Sequence, residues 1–271
     1  MTRLSAILSL LLFTPLAPAA GPIKDPNLEA AIRAVLHFPT GDLTDEKLKN
    51  VHIVTEASGK GIKDLSGLDK CPQLKELRLS KNEVSDLKPL AGLTELQSLD
   101  LSNNKIKDVT PLAGLKALQR LELSNNEIEK FDALSGLPAL TSLYLTGNKI
   151  TDCAPAAKLT KLWSLHLGKN QLKDIGPLAG LTKVDTLEIS DNQVVDISPL
   201  AKWTELRLLM MSRNKVTDLG PLVKAAEADV AGPKRFAPYL RLYLGGNPLS
   251  DSAKKEQLAV LKKVGVRVFE E

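Results

Sequence analysis

Cysteine, histidine and aromatic residues are all scarce in this chain of 271 residues. Two cysteines and three histidines, far apart in the sequence, make no metal-spaced cluster, and no glycine-rich phosphate loop is present. No metal or cofactor is therefore expected. Aromatics make up only 4% of the chain, and its formal charge of +4 is spread through both signs rather than gathered in a stripe. A nucleic-acid surface needs a basic patch, commonly with aromatics interleaved, so nucleic acid is not an expected partner. No apolar run approaches the roughly 20 residues of a membrane-spanning helix. No lipidation cysteine follows the N-terminal segment, and no apolar C-terminal tail is seen.

Leucine is abundant, and it is periodic. Leu96–Ala117 reads LQSLDLSNNKIKDVTPLAGLKA, and shifting it by 22 residues in either direction keeps residue types in register. Upstream lies LKELRLSKNEVSDLKPLAGLTE, and downstream LQRLELSNNEIEKFDALSGLPA. An internal period of 20–29 residues sets the architecture before any local reading. The Leu-x-x-Leu-x-Leu-x-x-Asn core resembles the leucine-rich repeat family. Its continuation, x-Ile-x-Asp-Leu-x-Pro-Leu-x-x-Leu-Thr-x, is similar to the 22-residue class of bacterial internalins and of a eukaryotic phosphatase regulator. The resemblance implies an α/β solenoid: a right-handed, curved superhelix with a parallel concave β-sheet and short 3₁₀ or α turns on its convex side. It also implies a helical N-terminal cap and a helix–strand C-terminal cap.

Within one unit, Ser98-Leu99-Asp100-Leu101-Ser102 alternates polar and apolar, the pattern of a strand with one buried face. Leu99 and Leu101 are expected to point into the stack and Ser98, Asp100 and Ser102 out of it. Ile106, Val109, Leu112 and Leu115 fill the convex side. Asn104 recurs at Asn82, Asn126, Asn148, Asn170, Asn192, Asn214 and Asn247. A buried amide at a chain corner can satisfy backbone groups of its own and neighbouring coils, so these eight are expected to form a structural ladder. Asp108 followed by Pro111 suits a short capped turn. Cys71 and Cys153 occupy leucine positions four coils apart, about 19 Å at strand spacing. That is too far for a disulfide, which needs Cα atoms within about 7 Å.

In order along the chain, residues 1–19 have the layout of a secretory signal peptide. Arg3 is their only charge, Leu4–Phe13 is mostly apolar, and Ala17-Pro18-Ala19 offers a processing site, with cleavage expected at or near Ala20. Gly21-Pro22-Ile23-Lys24 reads as a flexible lead. Residues 20–51 form the N-terminal cap, with one helix starting at Asp25-Pro26 and another at Thr44. Residues 52–249 hold the repeats, one degenerate and about eight regular. Asn214 to Asn247 spans 33 residues, so eleven extra residues sit in 223–239, read as a longer convex helix ending at Gly232-Pro233. Residues 250–271 form the C-terminal cap, with a helix over Asp251–Lys263 and a strand over Gly265–Val268. The expected product is a monomer, secreted or periplasmic.

Stacked coils bring the outward strand positions into columns. The central column is Arg78, Asp100, Glu122, Tyr144, His166, Glu188, Met210 and Tyr243, and beside it run Glu76, Ser98, Arg120, Ser142, Ser164, Thr186, Leu208 and Arg241. Repeat folds bind partners on such a face. Tyr144, His166, Glu188, Leu208, Met210 and Tyr243, with Trp163 at the edge, are the candidate contact residues, since exposed apolar groups gathered together mark a binding patch. A Tyr144–His166–Glu188 row has the residue types of a general base or half a metal site. No nucleophile, oxyanion donor or second histidine accompanies it, so catalysis is not expected. Trp203 replaces a core leucine and is read as packing. Two functions fit these residues. The first is a non-catalytic module for a protein or peptide ligand; the second is a regulatory subunit of an enzyme, as in the phosphatase-regulator relatives, or a surface adhesion protein.

Overall fold

A computed structural model describes residues 21–232 and 234–270; the segment read as a signal peptide lies outside them. Ten short parallel strands stand side by side in chain order: β1 (Ile53–Val54), β2 (Glu76–Arg78), β3 (Ser98–Asp100), β4 (Arg120–Glu122), β5 (Ser142–Tyr144), β6 (Ser164–His166), β7 (Thr186–Glu188), β8 (Leu208–Met210), β9 (Arg241–Tyr243) and β10 (Arg267–Phe269). The chain is thus a leucine-rich repeat solenoid. The 22-residue period gives the register directly, with Leu77, Leu99, Leu121 and Leu143 paired in sequence across the sheet. From β1 to β8 each return path passes through a 3₁₀ turn, such as Thr110–Gly114 or Gly176–Gly180. In β2–β9 the inward strand residue and the apolar residue two positions on are buried with the apolar set of the turns, giving one continuous core.

The corner asparagines tie this core together. Asn126 donates from Nδ2 to the carbonyl of Leu101 in the preceding coil (3.0 Å) and of Leu123 in its own (2.9 Å), and its Oδ1 accepts from the amide of Ile106 (3.0 Å). Asn104, Asn148, Asn170, Asn192 and Asn214 repeat the pattern. At the two ends, Asn82 reaches back to Ala57 and Ile62 of the degenerate coil, and Asn247 to Met211 and Val216. The residue before each ladder asparagine is left-handed: Lys81, Asn103, Asn125, Lys169, Asp191 and Arg213 have φ between 51° and 56°, and Gly147 and Gly246 take the same place. On the convex side, Asp86, Asp108, Asp152, Asp174, Asp196 and Asp218 each accept from the backbone N–H two residues on, opening the next turn. Cys71 and Cys153 are buried and free, and burial pushes both thiols up to about 12. Trp203 is fully buried in its leucine position, and its indole nitrogen has no partner among the described residues.

Both ends are clamped by polar side chains. Asp25 caps α1 (Pro26–Val35) by accepting from Asn27 and Leu28, and its other oxygen takes the amides of Lys63 and Asp64 in the first coil. A short helix, α2 (Asp45–Leu48), follows and buries Leu48. The lead is not flexible. Ile23 is fully buried, and Pro22 lies so close to Gly67 (φ 98°) that any Cβ there would strike its carbonyl.

The long convex helix is present as α3 (Gly220–Ala231). Its Asp229 is 1% exposed and accepts from the amides of Arg235, Phe236 and Ala237, folding the inserted loop back on the helix. Helical structure from Asp251 passes through a wide π-type turn at Ala253–Gln257 into α4 (Leu258–Lys263). From that turn Gln257 accepts from the amide of Leu219 at the start of α3 (2.7 Å). The last strand runs one residue beyond the expected Val268 and so adds Phe269 to the concave face.

Two predictions follow the packing. Leu145→Ala is expected to lower unfolding free energy by about 2–5 kcal/mol and Asn148→Ala by about 1–3 kcal/mol; the exposed Lys173→Ala should stay within about 0.5 kcal/mol. Urea denaturation monitored by circular dichroism checks the order, and equal losses at Asn148 and Lys173 would contradict the ladder. Asp229→Ala should expose three backbone amides and make the loop at 234–239 a site of rapid limited proteolysis in the otherwise resistant protein.

Candidate concave binding face

The strand residues that do not enter the core form the concave face, and their neighbours decide how free each one is. Ser142 and Ser164, expected as open surface positions, are instead 8% exposed. Ser102 is likewise buried, held by Asp100 through its backbone amide and hydroxyl.

Tyr144 and His166 do meet across β5 and β6, with ring centroids 4.6 Å apart. Arg120 lies over the Tyr144 ring at 4.3 Å and donates to its hydroxyl at 2.7 Å. The Nε2 of His166 is 3.1 Å from Ser164 Oγ. Burial, and next the charge of Arg120, lowers the imidazole pKa to about 4. Glu188 does not complete the expected row. One oxygen accepts from the Gly168 amide (2.8 Å) and Thr146 hydroxyl (3.2 Å), and the other from the Ser190 amide (2.8 Å). Gly168 makes this possible, since a Cβ there would collide with the carboxylate. Protonation of His166 is therefore displaced below the range of an open histidine. The protonated ring would sit among a guanidinium and a desolvating wall, and the nearby carboxylate is held by backbone donors.

Farther along, Leu208 and Met210 are half-buried, and Tyr243 stacks on Phe269 with centroids 4.3 Å apart and planes 8° from parallel. The two columns of eight residues expected from the repeats end at Tyr243 and Arg241; continuing the period-2 alternation through Gly265–Phe269 adds Phe269 beside Tyr243. Trp163 is 56% exposed at the edge, one coil from Thr141 and Asp185. At the opposite end the face is charged and self-contained. Arg78 pairs with Glu76 at 2.6 Å, and Glu122 accepts from Ser124 while burial, chiefly, raises its pKa. Away from this face, an open hollow of about 540 Å³ lies on the outside of α1, lined by Ala30, Ala34, His37 and Phe38. Among the described residues no group of His, Cys, Asp or Glu could hold a metal ion.

With this geometry in view, the comparisons with known proteins are consistent. The family model "Leucine Rich repeats (2 copies)" matches residues 72–114, 94–136, 116–158, 138–180 and 160–202. The crystal structure of internalin C2 from Listeria monocytogenes is 35% identical, with a TM-score of 0.72 over 74% of this chain and 89% of that one. This chain belongs to the internalin-like leucine-rich repeat family. The functional domain of internalin J from the same organism, which includes a cysteine ladder, has the same fold at 24% identity (TM-score 0.69, 91% of this chain and 56% of that one). A leucine-rich repeat protein of Leptospira interrogans aligns at 22% identity (TM-score 0.62, 74% and 56%). No curated protein sequence matches. Leucine-rich repeat proteins of this kind generally mediate protein–protein interaction, and no helix among the described residues is long and apolar enough to cross a membrane.

The depressed imidazole gives a signed prediction. A histidine whose folded pKa lies below its unfolded value favours folding while neutral, so its contribution is complete above about pH 6.5 and is lost as pH falls toward 4. Partial solvent screening limits the loss to about 1–2 kcal/mol. His166→Gln should remove that component, flattening the dependence of the urea midpoint on pH between 6.5 and 4. An unaltered slope would place the imidazole in solvent.

Proposed function

We propose that this chain is an exported, non-catalytic binding module that takes a protein or peptide partner on its concave face. The observation that carries the reading is the alignment of outward side chains over ten strands into one continuous, register-locked surface that ends in Met210, Tyr243 and Phe269. A wide, open sheet face suits another macromolecule better than a small substrate, which usually needs a concave pocket. The Ser164–His166 pair supports a binding role rather than chemistry. Its imidazole is a poor base once burial has lowered its pKa to about 4, its serine is covered, and Glu188 is committed to backbone amides. Export rests on the Arg3, Leu4–Phe13, Ala17–Ala19 layout. Cleavage near Ala20 would leave Ile23 available to seat in the cap.

Site-specific photo-crosslinking tests the reading. A photoreactive amino acid is placed at Arg78, Asp100, Met210 or Arg241 on the concave face, and at Lys173 or Lys224 outside it. Exported protein should form discrete adducts with another polypeptide from concave positions only; adducts confined to Lys173 and Lys224 would overturn it. For the captured partner, Tyr243→Ala is expected to remove about 2 kcal/mol of affinity, as large aromatic groups central to an interface do. Reversing Glu76 should chiefly alter association rate and salt dependence.

A further inference from the structure

The two ends of the concave face treat their arginines differently. On β2 and β4, Arg78 is paired with Glu76, and Arg120 is bound to the Tyr144 hydroxyl and lies 4.0 Å from Glu122. These guanidinium groups neutralise and brace their own surface. On β9 and β10, Arg241 and Arg267 sit in directly paired register, both exposed, and neither has an ion pair or side-chain hydrogen bond among the described residues. Glu270, which follows β10, is salt-bridged to Lys262 at 2.8 Å, and Glu188, two strands back on β7, accepts from Gly168 and Ser190. Beside the two arginines, in the next outward column, Tyr243 and Phe269 lie stacked, and Leu208 and Met210 continue the apolar surface on β8.

We propose that this end of the face, including the capping strand β10, is a docking site for an acidic segment of a polypeptide whose carboxylates flank an aromatic or aliphatic side chain. The inference rests on the concave-face reading above and gives the partner its chemistry. Two adjacent guanidinium groups, free of internal acceptors, match carboxylates in bidentate geometry. The apolar strip one column away receives the intervening side chain, because successive residues of an extended segment alternate in direction. A polyanion such as nucleic acid or a sulfated glycan would want a long cationic track, and among the described residues this end of the face offers two unpaired arginines. The capping strand is therefore part of the recognition surface as well as the cover of the core.

Selection from a random twelve-residue peptide display library tests this. Mature protein serves as bait, with subtraction against Arg241→Gln/Arg267→Gln, whose circular dichroism and thermal midpoint are first shown to match the parent. Enriched peptides should carry Asp or Glu on both sides of an aromatic or aliphatic residue. The best of them, made synthetically and labelled, should bind at least about tenfold more weakly, a difference of about 1.4 kcal/mol, to the double variant and to Phe269→Ala. Its affinity for Arg78→Gln should be unchanged, and replacing its carboxylates by amides should abolish binding. Neutral or basic consensus sequences, no enrichment over the variant, equal binding of the amide peptide, or displacement by heparin or an oligonucleotide at lower concentration than by excess acidic peptide would each overturn the proposal. Photo-adducts at Arg78 and Asp100 without any at Arg241 would overturn it while leaving concave-face binding intact.

Discussion

The side-chain amide of one residue per coil holds this molecule to its shape. Each coil presents carbonyls and amides to the interior at the point where the strand turns into the convex path. Those groups are dry, and no helix or sheet is long enough there to use them. A carboxamide has donors and an acceptor at the right separation, so it closes two coils at once. An aspartate would lack the donors and a leucine would lack everything. Leucines supply the driving force of burial, but they are interchangeable in direction; the asparagine determines where every coil begins relative to the last.

That constraint explains why so much was legible in the residues. A rigid 22-residue period carries register, face and neighbour for each position, so the strand leucines, the turn set and the ladder could be assigned without coordinates. Failures came where the period ended or where a side chain acted outside its own coil. Ile23 looked like part of a lead because its socket, next to Gly67, lies more than forty residues away. Asp229 has no counterpart in any other repeat, so nothing periodic pointed to its grip on three amides six to eight residues on. The left-handed corner falls on lysine or arginine at Lys81, Lys169 and Arg213, whose identity does not announce a positive φ as glycine, asparagine or aspartate would.

On the concave face, spacing gave the columns but not the allegiances within them. Tyr144, His166 and Glu188 occupy the expected row, yet each turns to a different partner, Arg120, Ser164 and the Gly168 amide respectively. Which of two neighbours a long side chain chooses depends on local gaps, such as the missing Cβ at Gly168, and those are set by three-dimensional packing. The same logic divides the surface, among the described residues, into an end whose arginines pair with their own neighbours and an end whose arginines have no ion pair. Neither condition follows from residue type alone, since arginine appears in both.

The ladder has a further consequence, for chemical ageing. Asparagine is lost over time when the following backbone nitrogen attacks its side-chain carbonyl carbon to form a cyclic imide. At the seven ladder positions from Asn82 to Asn214, that nitrogen, in Glu83, Lys105, Glu127, Lys149, Gln171, Gln193 and Lys215, donates to a carbonyl of the preceding coil at 2.8–2.9 Å. At the eighth, Asn247, the next residue is Pro248, which has no N–H to lose. The carboxamides are also pinned by their own hydrogen bonds, so neither reactant can rotate into line. The arrangement that sets the register of the coils therefore also slows the hydrolytic clock of the residues on which that register depends.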